Sequence, residues 1–430
     1  MGAPGATQFY RLPSIRQFIQ LLEDDVLDRR SILALFPDGV DVRALWEQLR
    51  GLLVRRDFLL EEVDVGDIPP DRMLLAAMGE ALRLTLPAGQ SHWSLERLYQ
   101  EAREQSQVVT LVSIERLSAD RQAQWLQLLT QWANFSQREA DAGRDIVSLI
   151  VCVSATALLD RLPTSDLMLS VRWWWQLPSH LEMRLLCQSG SAAYHHTSPP
   201  SLWREFILAS LAGDDLGVIQ GLWEEDIILD EATALKRLRV MATARGWCLQ
   251  DVTQVESVLF QALPDDWVKD TAPPPALRNA WARGLLSSCP EYGIELHVAA
   301  LALAGRTEAL SQRLWRGQAQ YLLPLIDQVR LRLCVYLTQE YKTGWATRWA
   351  LPLSEEERAA VRKSSLSCEW GYLEYLIRTY VHLRRERRWL TLIVQCRAVR
   401  NQIAHYSPIS YDAFLALWAE LKRAANELPR

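Results

Sequence analysis

Val108-Val-Thr-Leu-Val-Ser-Ile114, followed at once by Glu115, decides how the first half of the chain is read. It is apolar on both alternating faces, so as a strand it must be covered on both sides, which is the condition of a strand inside a parallel sheet. Ile146-Val-Ser-Leu-Ile-Val-Cys-Val153 is a second run of the same kind. A long helical pattern carrying Trp125, Leu128, Leu129 and Trp132 separates the two.

Working outward, Leu95–Gln105 and Arg72–Leu84 read as helices, and Asp64 to Asp71 as an acidic, turn-rich link. Phe58–Val63 and Ser31–Phe36 read as further strands. Pro37-Asp38-Gly39 closes the latter with turn-forming residues, and a helix opens with Val42, Leu45, Leu49, Leu52 and Leu53. A helix over Ser14–Leu22 precedes the first strand. Hydrophobic strands alternating with helices predict a layered α/β domain over residues 1–188.

The 430 residues suggest two or three domains, and 49% apolar with 23% charged content fits a soluble globular chain. No apolar run spans a bilayer, and Met1 to Thr7 lacks the basic start of a secretory leader, so a cytoplasmic protein without a membrane segment is expected. Seven scattered cysteines without a CxxC pair argue against a disulfide framework or zinc ribbon. The seven histidines have no cysteine or acidic neighbours at metal-ligand spacing, so neither a metal nor another cofactor is expected.

The order of elements resembles the AAA and STAND class of P-loop ATPases over roughly residues 28–180. In that class the first strand leads into a phosphate loop, a later strand ends in the Walker B acid, and the next carries a polar sensor. Ile114-Glu115 looks like the second feature, and Ser154 or Thr156 like the third. The first loop departs from the class: it reads Phe36-Pro-Asp-Gly-Val-Asp-Val42, and no GxxxxGK[ST] occurs in the chain. Without the glycine nest and its lysine a triphosphate loses its cradle, while Asp38 and Asp41 repel it. Asp38, Gly39 and Glu115 are then remnants of a degenerate nucleotide site in a scaffold or docking module; a working ATPase and an unrelated α/β fold are the alternatives.

Trp173-Trp174-Trp175 cannot be placed by periodicity and suits core packing, a domain joint or a partner surface. Ser189 to Ser201, with His195 and His196, reads as a boundary loop, and Thr271-Ala-Pro-Pro-Pro275 as a stiff joint. Between them, residues 189–275 form a helical or winged-helix-like connector; Asp230 suits a helix cap, and Asp265-Asp266 belong to the second joint.

Residues 276–430 read as an all-helical domain: helices over Asn279–Cys289, from Ile294, over Glu308–Tyr336 with Pro324 bending or dividing it, over Trp370–Leu383 and Trp389–His405, and over Tyr411–Leu428. Residues 301–430 carry 20 basic against 12 acidic side chains, although the whole chain is at −5. Arg384, Arg385, Arg387 and Arg388 form a basic run that is either a solvated helix face or an attractor of RNA phosphates. Arg400 and His405 stand five positions apart where Pro408 ends the last-but-one helix. An ideal helix places them about 140° apart, so the helix ending or a symmetric dimer must complete any shared site.

Arg400-Asn-Gln-Ile-Ala-His405 resembles the Rx4–6H motif of HEPN domains, with the polar residue that commonly follows the arginine. The likeness covers roughly residues 305–427. It implies either a metal-independent endoribonuclease effector, of the kind used in bacterial antiviral defence and regulated by the ATPase-like scaffold, or a noncatalytic adaptor or RNA-binding subunit. In the active reading His405 moves protons at the RNA 2′-hydroxyl or leaving oxygen and Arg400 holds the scissile phosphate. Asn401 positions His405 or contacts RNA, and Tyr406 stacks on a base or packs at a dimer seam. RNA as substrate, a second copy of the chain and a defence-complex protein are the implied partners. A structural role is the bland alternative: Arg400 paired across the bundle, His405 capping a helix.

Overall fold

Segments Ser31–Phe36 (β1), Leu60–Asp64 (β2), Val108–Val112 (β3), Ser148–Ser154 (β4) and Leu169–Trp173 (β5) pair in parallel in the order β2-β3-β4-β1-β5. The computed structural model describes residues 3–69, 72–86, 91–156, 158–190, 198–223, 231–261, 271–342, 344–347 and 353–428. His195, His196, Asp230 and Asp265-Asp266 lie outside these. Every residue of β1 is buried, as its place inside the sheet requires. The β1-to-β2 connection runs along the sheet in one direction and the β3-to-β4 connection in the other. Right-handed crossovers therefore place helix Val42–Arg55 on one face and helix Ala119–Asp141 on the opposite one. Helix Pro13–Leu27 packs on Val42–Arg55, and Leu95–Gln105 packs on Ala119–Asp141. The architecture is the layered α/β fold with a parallel sheet that the element order predicts.

Strand β5 carries the first tryptophan of the triplet. Its sequence, Leu-Ser-Val-Arg-Trp, alternates apolar and polar residues with the two-residue period of a half-buried strand, but over five residues only, running straight into the tryptophan triplet. The sheet edge is fixed by tertiary contacts instead: Arg172 grips the buried Asp25 of helix Pro13–Leu27 in a bidentate pair at 2.7 and 2.8 Å, and Ser170 donates to the same carboxylate. Trp174 packs among Phe9, Phe18 and Phe36, while Trp173 stacks near Trp281 under the guanidinium of Arg278. The triplet is thus both core and joint.

Two expectations for the second half are corrected. Residues 279–289 do not form a helix: Arg278–Ala282 is one short turn, followed by an antiparallel hairpin of Leu286–Cys289 (β6) and Gly293–Leu296 (β7). The apolar spacing of Ala280, Trp281, Leu285 and Leu286 imitates a helix, but Gly284 at φ +67° breaks it. Helices Glu231–Ala244 and Leu249–Gln261 both pack with helix Val298–Leu303, and Leu249–Gln261 also packs with β7. Pro324 does not divide its helix, which continues from Thr307 to Tyr341.

Helix Pro199–Ala212 also belongs to the C-terminal packing. Gly317 lets it approach helix Thr307–Tyr341 so closely that a Cβ there would meet the Phe206 carbonyl at 2.5 Å. Phe206 then stacks on Tyr321 and, with Trp203, packs against Phe414 of helix Tyr411–Glu427. Burying aromatic side chains of this size stabilises by roughly 1.5–3 kcal/mol each. Among the described residues, no helix is long and apolar enough to cross a membrane.

Candidate functional site

The chain brings three sets of predicted residues to the surface, and they do not converge. The first lies where β1 and β4 end. The hydroxyls of Ser154 and Thr156 both donate to Asp38 Oδ1, the Thr156 contact measuring 2.9 Å. The Asp38 amide donates to the Ala282 carbonyl at 2.7 Å, and Thr156 Oγ1 lies 3.2 Å from the same carbonyl. In parallel sheets ligands enter at the carboxyl ends of strands. Here that end of β1 is covered by the segment Arg278–Gly284, which Trp281 ties to the Trp174 carbonyl and Arg283 ties to Asp251 through two bonds of 2.7 and 2.8 Å. Pairing with Arg283 is the leading cause that holds the Asp251 carboxyl well below its usual range.

Gly39 sits at φ +98° beside the guanidinium of Arg245. Glu115 stands apart from Asp38 and Gly39. It follows Ser113, itself left-handed at φ +63°, and lines a separate small cavity beneath helix Val42–Arg55.

The second set closes helix Leu390–Ala404. The amide of Tyr406 donates to the Ile403 carbonyl and that of Ser407 to the Gln402 carbonyl, the two bonds of a Schellman ending. Such an ending needs a left-handed residue, usually glycine; Tyr406 fills the place at φ +58°. Its ring lies 4.9 Å from that of Trp315, whose indole donates to the Ile403 carbonyl at 2.6 Å. Gln402 closes the turn by donating to the Pro408 carbonyl.

Arg400 and His405 are both exposed and, as the 140° separation predicts, they do not bond to each other. Arg400 reaches Asn401 Oδ1 at 3.3 Å and the exposed Glu369 at 4.0 Å, a loose surface pair of little energetic weight. Neither Arg400 nor His405 lines the large apolar cavity of about 440 Å³ that Gln402 and Pro408 border from behind.

The third set, the basic run, lies on a 3-10 segment from Val381 to Trp389 and not on an α-helix. A period of three buries Leu383, Glu386 and Trp389 and exposes the four arginines. Glu386 is fully buried, accepting from Tyr336 at 3.1 Å and Tyr341 at 2.9 Å. Burial first, then the Glu386 carboxylate, push the Tyr341 phenol up to about 12. Arg388 donates to Tyr336 and lies over Trp389, and Arg387 donates to the Arg378 carbonyl. Those two arginines are partly committed to structure; Arg384 and Arg385 are exposed.

A buried polar network escaped the sequence reading. His297 accepts the Ala299 amide on Nδ1, so Nε2 carries the proton and donates to Asp215 at 2.8 Å. Burial leads the lowering of its pKa. Arg245 also donates to Asp215, while neighbouring Asp214 accepts from the Ser287 hydroxyl and the Ser288 amide. Burial pushes the Asp214 carboxyl up to about 6. These partners are 30 to 82 residues apart in the chain, and no local spacing could have joined them. Among the described residues no group of side chains has the composition to hold a metal ion.

No protein-family model and no curated protein matches the chain. Two solved structures are similar in path. Cdc6p from Pyrobaculum aerophilum is 15% identical, with a TM-score of 0.35, over 70% of this chain and 94% of that one. A chain of Drosophila ORC bound to poly(dA/dT) DNA and Cdc6 is 14% identical, with a TM-score of 0.31, over 98% of this chain and 71% of that one.

Proposed function

We propose that the protein is a HEPN-like, RNA-acting effector whose ATPase-like domain serves as a scaffold, with Arg400 and His405 as the cleaving pair. The observation that carries this reading is the ending of helix Leu390–Ala404. Arg400 and His405 stand exposed beside Asn401 at a helix terminus closed by a left-handed tyrosine, a strained residue of the kind that collects at functional sites. Because the two side chains diverge on one copy, a second copy is needed to bring an arginine of one chain to the histidine of the other. The RNA 2′-hydroxyl is an internal nucleophile, so this chemistry asks for proton transfer at His405 and charge stabilisation at Arg400. Exposed Arg384 and Arg385 would add attraction for phosphates.

The test compares wild type with His405→Ala and Arg400→Ala on a mixed RNA pool in EDTA, with molecular mass measured alongside. Cleavage lost in both variants together with a dimeric mass is the expected result. Cleavage equal in all three overturns the assignment. A second reading, a noncatalytic adaptor within a defence assembly, is favoured by the separation of Arg400 from His405. It is distinguished by a monomer without RNA turnover that enters a stable complex with a partner.

A further inference from the structure

The cavity beneath helix Val42–Arg55 has a volume of about 160 Å³ and lies at the carboxyl end of β3, where open parallel sheets receive ligands. Its lining omits Asp38 and Gly39, so it is separate from the crevice covered by Arg278–Gly284. It is also smaller than the 300–1,000 Å³ typical of pockets for drug-sized ligands. Arg43, Arg116, Glu62 and Glu115 line it together, yet none of the four forms an ion pair with another. All four side chains are exposed, so they ring the mouth of the cavity while Thr110 and Cys152 form its buried floor. Glu62 is already engaged, accepting the Trp46 indole N–H at 2.8 Å. Two guanidinium groups and one carboxylate are left without a partner among the described residues.

Local structure positions these groups. Gly66 has no side chain where a Cβ would press on Ser113 at 3.0 Å and on Arg116 Cδ at 3.1 Å, so the arginine lies across the glycine. Ser113 holds the left-handed conformation that turns the chain from β3 into Glu115. The inner wall is small and mixed in character: buried Cys152, and buried Thr110, whose hydroxyl has no hydrogen-bond partner. An unpartnered hydroxyl at such depth is uncommon.

The formal charges of the lining cancel, so a plain anion would gain from the arginines what it loses to the carboxylates. A ligand with both charges, held apart, gains from each. We propose that this cavity recognises a small zwitterion of the amino-acid type, its carboxylate taken by Arg43 and Arg116, its ammonium by Glu115, and its short side chain directed towards Cys152 and Thr110. A guanidinium group suits a carboxylate because it donates in a planar fork. The limited volume favours small side chains over aromatic ones. This inference is independent of the RNA-cleaving reading.

The test screens the full-length protein against the twenty amino acids by thermal shift and measures the strongest responder by calorimetry. Acetate and methylamine serve as single-charge controls. Saturable binding of one or a few small amino acids is expected, weakened at least tenfold in Arg116→Gln and in Glu115→Gln, with neither control binding. Lys422→Gln, on the exposed side of the last helix and absent from the cavity lining, should bind as wild type, and far-ultraviolet circular dichroism establishes that each variant is folded. The proposal is overturned if no amino acid binds, if folded Arg116→Gln and Glu115→Gln bind as wild type, or if acetate alone binds as tightly.

Discussion

The amide of Asp38 donates to the carbonyl of Ala282 at 2.7 Å, joining the loop after the first strand to a segment more than two hundred residues later. What would be the floor of a phosphate loop is a backbone contact between two parts of one chain.

Gly284 should tolerate no side chain. It adopts φ +67°, and an added Cβ would stand 2.8 Å from the Asp38 carbonyl oxygen. Gly284→Ala is expected to destabilise by about 1–3 kcal/mol through left-handed strain plus displacement of the contact. A urea midpoint equal to that of wild type would show that the segment yields freely.

Arg400→Ala and His405→Ala should leave stability within about 0.5 kcal/mol of wild type, because both side chains are exposed and the one ion pair is loose. Thermal unfolding of the two variants beside the RNA assay separates a functional loss from a folding defect. A large drop in melting temperature would assign them a structural role instead.

Asp214 should make stability fall as pH rises. Its folded pKa is up to about 6, above its ordinary value, so between pH 4 and 6 the folded state binds the extra proton. The stabilisation is complete below the unfolded pKa and is lost through pH 6. His297 and Asp215, both lowered, act in the opposite sense: each contributes above its ordinary pKa and loses that contribution as pH falls. Asp214→Asn mimics the protonated form and should gain about 1–3 kcal/mol relative to wild type at pH 8, with the gain shrinking towards pH 4. Urea titrations at pH 4, 6 and 8 check the sign; a difference that is constant with pH contradicts it.

Glu386→Ala should cost about 2–4 kcal/mol, since it strands the hydroxyls of Tyr336 and Tyr341 in a buried site. Arg385→Ala, at the adjacent but exposed position, should cost almost nothing. Comparable losses in the two variants would mean that Glu386 does not anchor the 3-10 segment.

The doubly buried runs of β3 and β4 were legible because burial on both faces leaves a strand no polar positions. Strand β5 was less so: Leu169 to Trp173 alternate for only five residues, and the contacts of Ser170 and Arg172 with Asp25 that fix this sheet edge cannot be read from local spacing. The hairpin at 286–296 was misread as helix, since its apolar residues occur at helical spacing until Gly284 interrupts them. Arg400 and His405 were legible as a cation and an imidazole five residues apart, but the partners of Arg400, Asn401 and Glu369, were not. The left-handed Tyr406 was invisible, as tyrosine carries no preference for that conformation. Arg43 and Arg116 gave no signal because their relation exists only once β3 lies under helix Val42–Arg55.

The covering of β1 by Arg278–Gly284 closes the loop at residues 37–43 from a second side. A glycine-rich loop grafted onto residues 37–43 would still meet the carbonyl of Ala282, to which the Asp38 amide and the Thr156 hydroxyl are bonded. Ala282 would have to leave first, taking with it the Trp281 and Arg283 anchorages on Trp174 and Asp251. A change at residues 37–43 is therefore felt at Trp174 and Asp251 as well, so the loop and its cover must vary together.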